Sequence, residues 1–508
     1  MLRARSFFVQ ALTEVAAFRT QEALGLRRDS LVFCAAGRFA LEASEMTGGL
    51  HQRLRAVRAE LERWLLRQTE GRLCITIVAE PPLPLGQGDG AQRYERTLAT
   101  LRAEKYRPWV SYATDGDSWE SSRLIVPVPG TEDADTFYVI GEALPRARWL
   151  VVEPVSQDAR STNGPTFNLA GFRAVLLQND EPDTLRRASL VADLTSEESL
   201  ITSAAPDNRI RRPLARHIPT RPDGSPLGFE ELVQGARGGP LLGVLKMDVD
   251  SLGAALGERV RGSNDLHALG RFSVELDRFF AVELDRVLKA PQWQAIYTVF
   301  SGGDDVLVVG PWDLMLDFAA GAREAFVQRF GRDGLTISGG LAIVRYRYPI
   351  RHAVALAENQ LHLAKSEVNQ AGEPPKDQMA ALGQVWKWRD HATIVEGAKR
   401  LVHWVESGLA RRGWLHTMLH LTSLGLGADA RPEDGRLAPA RLAYHVARNY
   451  PRPDDQNPER RALRAWADRM LAGLTAAHGT TDIEVRYLPA MLRYALLATR
   501  PRIWGETR

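Results

Sequence analysis

The sequence predicts an α+β fold: two modules of helices set on antiparallel strands, a loop-rich insert between them, and an all-helical region after them. Three observations carry this. A valine-rich strand–turn–strand pattern occurs at Tyr297–Gly310 and, in plainer form, at Leu31–Ala43, each between long helical patterns. From Lys105 to about Asn163 the composition turns to polar, proline and aromatic residues, and beyond Pro375 one helix-period segment follows another. The expected boundaries are 1–104, 105–238, 239–375 and 376–508.

The chain has 508 residues, room for about three or four domains of ~100–200 residues, and a hydrophobic content of 44%, enough for full-sized cores. No run approaches the ~20 apolar residues needed to cross a bilayer, and the first 25 residues alternate apolar with charged residues, unlike a signal peptide. A cytoplasmic protein without a membrane partner is expected. Cys34 and Cys74, the only cysteines, both lie in apolar strand-like runs; they read as core residues and cannot form a four-cysteine zinc site. The net charge of +3 neither demands nor excludes nucleic acid.

Apolar positions Phe7, Phe8, Ala11, Leu12, Val15, Ala16 and Phe18 predict a helix over Arg3–Leu24. The hairpin at Leu31–Ala43 turns at a glycine and lacks acids. A helix from about Met46 to Gln68 and a strand at Leu73–Val78 complete the first module. Within the insert, short apolar pieces occur at Leu124–Val128 and Phe137–Ile140; Phe172–Leu177 reads as a strand and Pro182–Arg212 as a polar connection. His217, in a turn-rich stretch, reads as structural. The second module runs from a strand at Leu241–Asp250 through helices at Ser251–Val260 and Leu266–Leu288, the latter with Phe272, Leu276, Phe279 and Phe280 inward. It continues with the hairpin, a helix at Trp312–Phe330, a strand at Leu335–Val344 and a helix at Ile350–Val368. Gly339 and Gly340 inside that strand indicate either a bulge or a close backbone approach. Lys365 stands apart on a helix whose face of Ala353, Ala357, Leu361 and Ala364 is small or apolar. It is either a solvated end or a phosphate counter-charge. Five helices follow, at Leu382–Trp404, Trp414–Leu426, Ala438–Tyr450, Arg460–His478 and Tyr487–Ala498. Their tryptophans (Trp386, Trp388, Trp404, Trp414 and Trp466) read as scaffold before RNA contact.

Glycine and aspartate suit ordinary hairpin turns, so Gly302-Gly303-Asp304-Asp305 alone is ambiguous. The strand Leu241–Asp250 resolves it, being apolar until it ends in carboxylates, so that pairing with the hairpin sets Asp248 beside Asp304. Asp248 with Asp304 or Asp305 offers hard oxygen ligands suited to Mg2+ or Mn2+. Two such ions activate a sugar hydroxyl and neutralise charge on a nucleotide α-phosphate. The glycines let a nucleotide approach the backbone. No Gly-x-x-x-x-Gly-Lys-Ser/Thr occurs, which leaves a palm-type nucleotidyl transferase or cyclase.

Several segments together resemble the large subunit of type III CRISPR effector complexes, most closely the Csm type of subtype III-A. They are Arg5-Ser6-Phe7-Phe8-Val9-Gln10, the hairpin near Gly37, His217-Ile218-Pro219, Lys246 to Gly253, Ser301 to Asp305, and Tyr348-Pro349-Ile350-Arg351 before the Lys365 helix. The resemblance implies two ferredoxin-like, GGDEF-like Palm domains, the first degenerate, and a helical C-terminal domain. It implies that the second Palm converts ATP into cyclic oligoadenylate when guide RNA pairs with target RNA, in antiviral defence. Asp248, Asp304 and Asp305 are then the catalytic acids and, with Val249, the metal site. Ser301, Gly302, Gly303, Ser251 and Lys365 line the nucleotide, and the acid-free first Palm holds a second ATP without turning it over. Partners implied are the small subunit, the subunit at the guide 5′ end, guide RNA and target RNA.

Two departures from the family carry expectations. No His-Asp pair precedes the first Palm helix, so no HD nuclease activity is expected. The four-cysteine module between the Palms is absent, so no zinc is expected. Ser251 stands where asparagine is usual. The rival readings are a catalytically silent scaffold that binds guide RNA and a stand-alone diguanylate-type cyclase, since Gly-Gly-Asp-Asp alone is shared with such cyclases and some polymerases.

Overall fold

The computed structural model describes all residues except 1, 36, 44–48, 81–89, 115–131, 156–163, 196–207, 264–265, 427–431, 476–480 and 502–508. The expected piece at Leu124–Val128 therefore lies outside the described residues. The chain forms two compact units: Met1–Arg216 with Ser251–Arg286 and Val299–Asp304, and His217–Asp250 with Val287–Thr298 and Asp305–Arg508.

The first unit starts with a helix, Leu2–Leu24, in which all seven apolar positions read from the sequence are buried. Strands β1 (Leu31–Ala35) and β2 (Arg38–Leu41) form an antiparallel hairpin that turns at Gly37, φ +69°. A helix at Leu50–Thr69 follows. A second sheet is built from β3 (Trp149–Pro154), β4 (Thr166–Leu169), β5 (Phe172–Leu177), β6 (Leu190–Asp193) and β7 (Arg209–Arg211), in the order β4-β5-β3-β6-β7. One core joins Phe8, Val15, Leu61 and Leu65 of the two helices to Leu150, Val152, Phe167 and Leu176 of this sheet.

The sequence reading fails here in three places. Residues 105–238 are not loop-rich: they hold a five-stranded sheet, and the polar connection at Pro182–Arg212 contains two of its strands. The central strands are covered on both faces, by the core above and by a cluster of Trp149, Val151, Val175, Leu185 and Val191, so they lack the alternation that marks a half-buried strand. The 104/105 boundary crosses this shared core. Leu73–Val78 is no strand and has no pairing partner among the described residues. Its alternate residues Leu73, Ile75 and Ile77 pack on the core, which turns Cys74 outward. Cys74 is exposed, not core as expected; Cys34 is buried.

Helix Leu266–Arg278 passes through a π-turn, Phe279–Glu283, into Leu284–Leu288, and Phe272, Leu276, Phe279 and Phe280 are buried as expected. It packs on the first hairpin: a Cβ at Gly270 would stand 2.1 Å from the Val32 carbonyl oxygen.

The second unit is organised around a sheet of order β13-β12-β11-β8-β10-β9. Its strands are β8 (Leu241–Val249), β9 (Tyr297–Gly302), β10 (Asp305–Pro311), β11 (Ile337–Arg345), β12 (Gln378–Ala381) and β13 (Gln384–Lys387). Strand β8 lies between antiparallel β10 and β11, and β12 joins β11 in parallel. The region 376–508 is thus not all-helical. Leu382 and Gly383, both at positive φ (+54° and +76°), close a two-residue hairpin loop of the kind that matches strand twist, and the helix read from Leu382 begins at Trp388. The remaining helices are Arg412–Leu426, Pro432–Asn449, Pro458–Thr475, Ile483–Arg486 and Leu488–Ala498. Trp386, Trp388, Trp404 and Trp466 are buried, and the rings of Trp404 and Trp466 meet edge to face at 5.6 Å. The scaffold reading holds for these four. The glycines of β11 make no bulge, since its pairing with β8 runs unbroken from Ile337 to Arg345. Gly340 instead admits the helix Ile350–Ser366, whose backbone (Leu361 N) would stand 2.1 Å from a Cβ there.

Candidate active site

Register builds the site. Asp305 stands directly opposite Asp248, and Leu307 opposite Lys246, so Lys246, Asp248 and Asp305 share one face of the sheet. Like charges directly opposite across a strand pair destabilise it, and here cations offset them. Lys365 Nζ donates to the Asp248 carboxylate and, at 2.9 Å, to the Val249 carbonyl oxygen; it lies 4.0 Å from Asp250 Oδ1. Lys246 Nζ is paired with Glu358 and stands 3.6 Å from Asp305 Oδ2. Burial works against the Lys246 charge, but the hydrogen bond to Glu358 and the charges of Asp305, Glu358 and Asp248 outweigh it and raise its pKa above the ordinary lysine value.

The helix reaches the site because of its small face. Ala353, Ala357, Leu361 and Ala364 are its buried residues, and with Gly340 beneath it the axis comes near enough for Lys365 to touch β8. Asp250 has a different part. Buried at 4% exposure, it accepts from Thr336 Oγ1 and Ser338 Oγ (both 2.8 Å) and from the Asp377 main-chain N–H (3.0 Å), tying the end of β8 to β11 and β12.

The hairpin tip is a two-residue turn. Gly303 has φ +67° whereas Asp304 is not at positive φ, the sign pattern of a type II′ turn, which takes glycine first. Ser301 is buried and its Oγ donates to the Phe280 carbonyl at 2.6 Å; Gly302 is buried and Asp304 half-buried. Ser251, between β8 and the helix Leu252–Ser263, is exposed with φ +54°, a left-handed position where asparagine or glycine fits with less strain. His217, read as structural, accepts the Thr298 N–H on its carbonyl at 3.1 Å.

Of the residues read from the sequence, the second unit brings together Asp248, Val249, Asp305 and Lys365. Ser301 to Asp304 lead by chain connection into Asp305. Among the described residues no group of three or more His, Cys, Asp or Glu side chains has metal-holding geometry. Three relevant residues escaped the sequence reading: Lys246, Glu358 and Asp277. A lone charge inside the otherwise apolar run Leu241–Met247 was the available signal for Lys246.

Two paired carboxylates on the strand pair β8–β10, flanked by lysines, on a largely antiparallel sheet with helices are the arrangement of a palm-type domain. Comparison with known proteins agrees. The profile of the second palm domain of Cas10/Cmr2 matches residues 241–373 and that of Csm1 subunit domain B matches residues 1–110. The chain is 26% identical over 484 residues to the single-strand-specific deoxyribonuclease Cas10/Csm1 (subtype III-A) of Thermococcus onnurineus, covering 83% of this chain and 59% of that protein. It is 24% identical over 493 residues to the protein of the same description from Mycobacterium tuberculosis, covering 88% and 59%. The chain thus spans about three fifths of the length of these relatives. A crystal structure of an apo Csm1–Csm4 cassette superposes with a TM-score of 0.71 at 21% identity, covering 98% of this chain and 67% of that one; a cassette in complex with cA4 gives 0.70 at 21%, covering 98% and 66%. These matches make the chain similar to the Cas10/Csm1 large subunits of type III-A CRISPR systems, with the palm-domain likeness confined to residues 241–373 and the domain B likeness to residues 1–110. Among the described residues no helix is long and apolar enough to cross a membrane.

Proposed function

We propose that the chain converts ATP into cyclic oligoadenylate at the Asp248–Asp305 face, as part of a type III-A effector that carries guide RNA and pairs with target RNA. The observation that carries this is the direct opposition of Asp305 and Asp248 with lysines on both flanks. Such a face suits divalent cations and a polyphosphate together. The donor set fits Mg2+ or Mn2+: Asp248, Asp305, Asp304 and the Val249 carbonyl are hard oxygens, and Mg2+ typically takes one or two carboxylates plus substrate phosphates. When bound, the ions would supply Lewis-acid activation of the attacking hydroxyl and neutralise charge at the α-phosphate. Lys365 and Lys246 exchange their carboxylate partners for triphosphate oxygens. Their charges favour the pyrophosphate leaving group, while β8 and β10 hold the two acids in register.

Related structures of Csm1–Csm4 cassettes have been solved with one ATP and with pppApA, which supports ATP as substrate and a Csm4-type subunit as partner. In the test, the chain assembled with its partner subunits and guide RNA receives ATP, Mg2+ or Mn2+ and matched target RNA. Oligoadenylate that disappears in the Asp248→Ala and Asp305→Ala variants supports the assignment. No product from the intact assembly overturns it in favour of a silent scaffold, and product from GTP by the lone chain would point to a stand-alone cyclase.

A further inference from the structure

The turn that presents Asp304 is held from behind by a residue outside the acidic face. Asp277 sits at 5% exposure on helix Leu266–Arg278, and its Oδ1 accepts the main-chain N–H of Gly303 at 2.8 Å. The same oxygen would be 3.2 Å from a Cβ at position 302, so any side chain there would press on the carboxylate that holds the turn. Three residues along, the Phe280 carbonyl, in the π-turn, accepts from Ser301 Oγ. One helix thus grips the hairpin at 301 and 303, on either side of Gly302. A single π-turn in an otherwise α-helical run commonly marks a functional position.

Behind Asp277 lies a buried charge cluster. Arg212 is paired through Nε with Glu14 of the helix Leu2–Leu24. Burial opposes its charge, but Glu14, the Cys34 thiol of β1 and Asp277 hold its pKa above the ordinary arginine value. Burial raises the pKa of Asp277, the Gly303 N–H and Arg212 pull it back, and Glu14 pushes it further up. Charges this deep persist only when partnered, and Arg212 and Glu14, from separate stretches of chain, pair with each other, while Asp277 has the Gly303 N–H.

We propose that Asp277 is a positioning residue for the reaction assigned above, fixing the Gly303 peptide and thereby the direction of Asp304. The inference rests on the proposed function, because it assigns Asp277 to that same site. It acts through the backbone and touches no substrate.

The test uses the full chain in its guide-loaded assembly and compares Asp277→Ala and Asp277→Asn with the parent in two readouts: the kcat and KM for ATP, and amide hydrogen exchange of the peptide covering 297–311. Misplacement of a reacting group by about 1 Å costs about 100-fold in rate. Asp277→Ala is therefore expected to lower kcat by about that factor with KM for ATP within about threefold, and to speed exchange of the turn. Asp277→Asn keeps an acceptor oxygen and is expected to restore kcat to within about fivefold. Parental kcat and parental exchange in Asp277→Ala overturn the proposal. So does an Asp277→Asn variant that folds and is as slow as Asp277→Ala. If the parent assembly makes no oligoadenylate, the functional assignment fails and exchange alone decides whether Asp277 holds the turn.

Discussion

The hairpins at Gly37 and Gly303 turn on glycines of nearly equal φ, +69° and +67°, yet their surroundings differ in kind. The first is a two-stranded ribbon whose β2 begins with the exposed Arg38. The second continues into β10, which lies against a central strand and sets one carboxylate opposite another. A turn by itself makes no site. The partner strand supplies the second acid, and the helix crossing at Gly340 supplies the cation that makes the acid pair tolerable. Both hairpins are gripped by the helix that begins at Leu266, through Gly270 on β1 and Asp277 on the Gly303 turn, so they share a support while differing in chemistry.

The largest expected effect breaks this contrast at its acids. Asp305→Asn or Asp248→Asn should lower oligoadenylate formation by about 1,000-fold, the loss typical when a main electrostatic stabiliser of the transition state is removed, while Arg38→Ala in the first hairpin leaves the rate unchanged. Thermal unfolding should show the acid variants no less stable, since each removal relieves a like-charge pair. Next come the two close approaches. Gly340→Ala would place a methyl 2.1 Å from Leu361 N and 2.7 Å from the Ala357 carbonyl oxygen. Backbone cannot step aside there, so a loss of about 3 kcal/mol is expected in denaturant unfolding, together with activity as Lys365 withdraws. Gly270→Ala meets the Val32 carbonyl oxygen at 2.1 Å. It should cost a similar amount, about 3 kcal/mol, while leaving Lys365 on Asp248.

Acid sharpens the comparison between units. His391 lies beneath β13, accepting from Trp386 Nε1 on Nδ1 at 3.1 Å and donating from Nε2 to the Leu316 carbonyl at 3.0 Å. Burial lowers its pKa to about 4. A depressed folded-state pKa means that the stability is fully present above the unfolded value of about 6.5 and is lost as pH falls towards 4, about 2 kcal/mol by pH 5. Unfolding followed by exchange in both units should show the second weakening first, and His391→Gln should flatten that slope. The smallest effect is at Ser251, where the left-handed φ of +54° carries strain of about 1 kcal/mol. Ser251→Gly should relieve it, read as a rise in the unfolding midpoint.

Much of this was written in the sequence, and the exceptions have physical causes. The burial of Phe7 to Phe18, the four aromatic and apolar contacts of helix 266–288, the small face of the Lys365 helix and the strand ending at Asp248 all follow from periodicity, which a core enforces. In the sheet of 149–211, Phe172–Leu177 was legible as a strand with its observed bounds, whereas β3 and β6 escaped because short strands buried on both faces show no alternation. Strand β13 was read as the start of a helix because the hairpin turn lies at Leu382-Gly383, where leucine gives no warning of a positive φ. Asp277 escaped because one carboxylate on an amphipathic helix resembles a solvated residue until its distance to Gly303 is known. Lys246 and Glu358 form a pair 112 residues apart, a separation no local pattern encodes.

The contrast between the hairpins is tested most directly by Mn2+ binding to the assembled protein in the presence of a non-hydrolysable ATP analogue, followed by electron paramagnetic resonance. The account predicts that bound Mn2+ is lost in the Asp248→Asn/Asp305→Asn double variant and unchanged in Arg38→Ala. Undiminished Mn2+ in the double variant would contradict it.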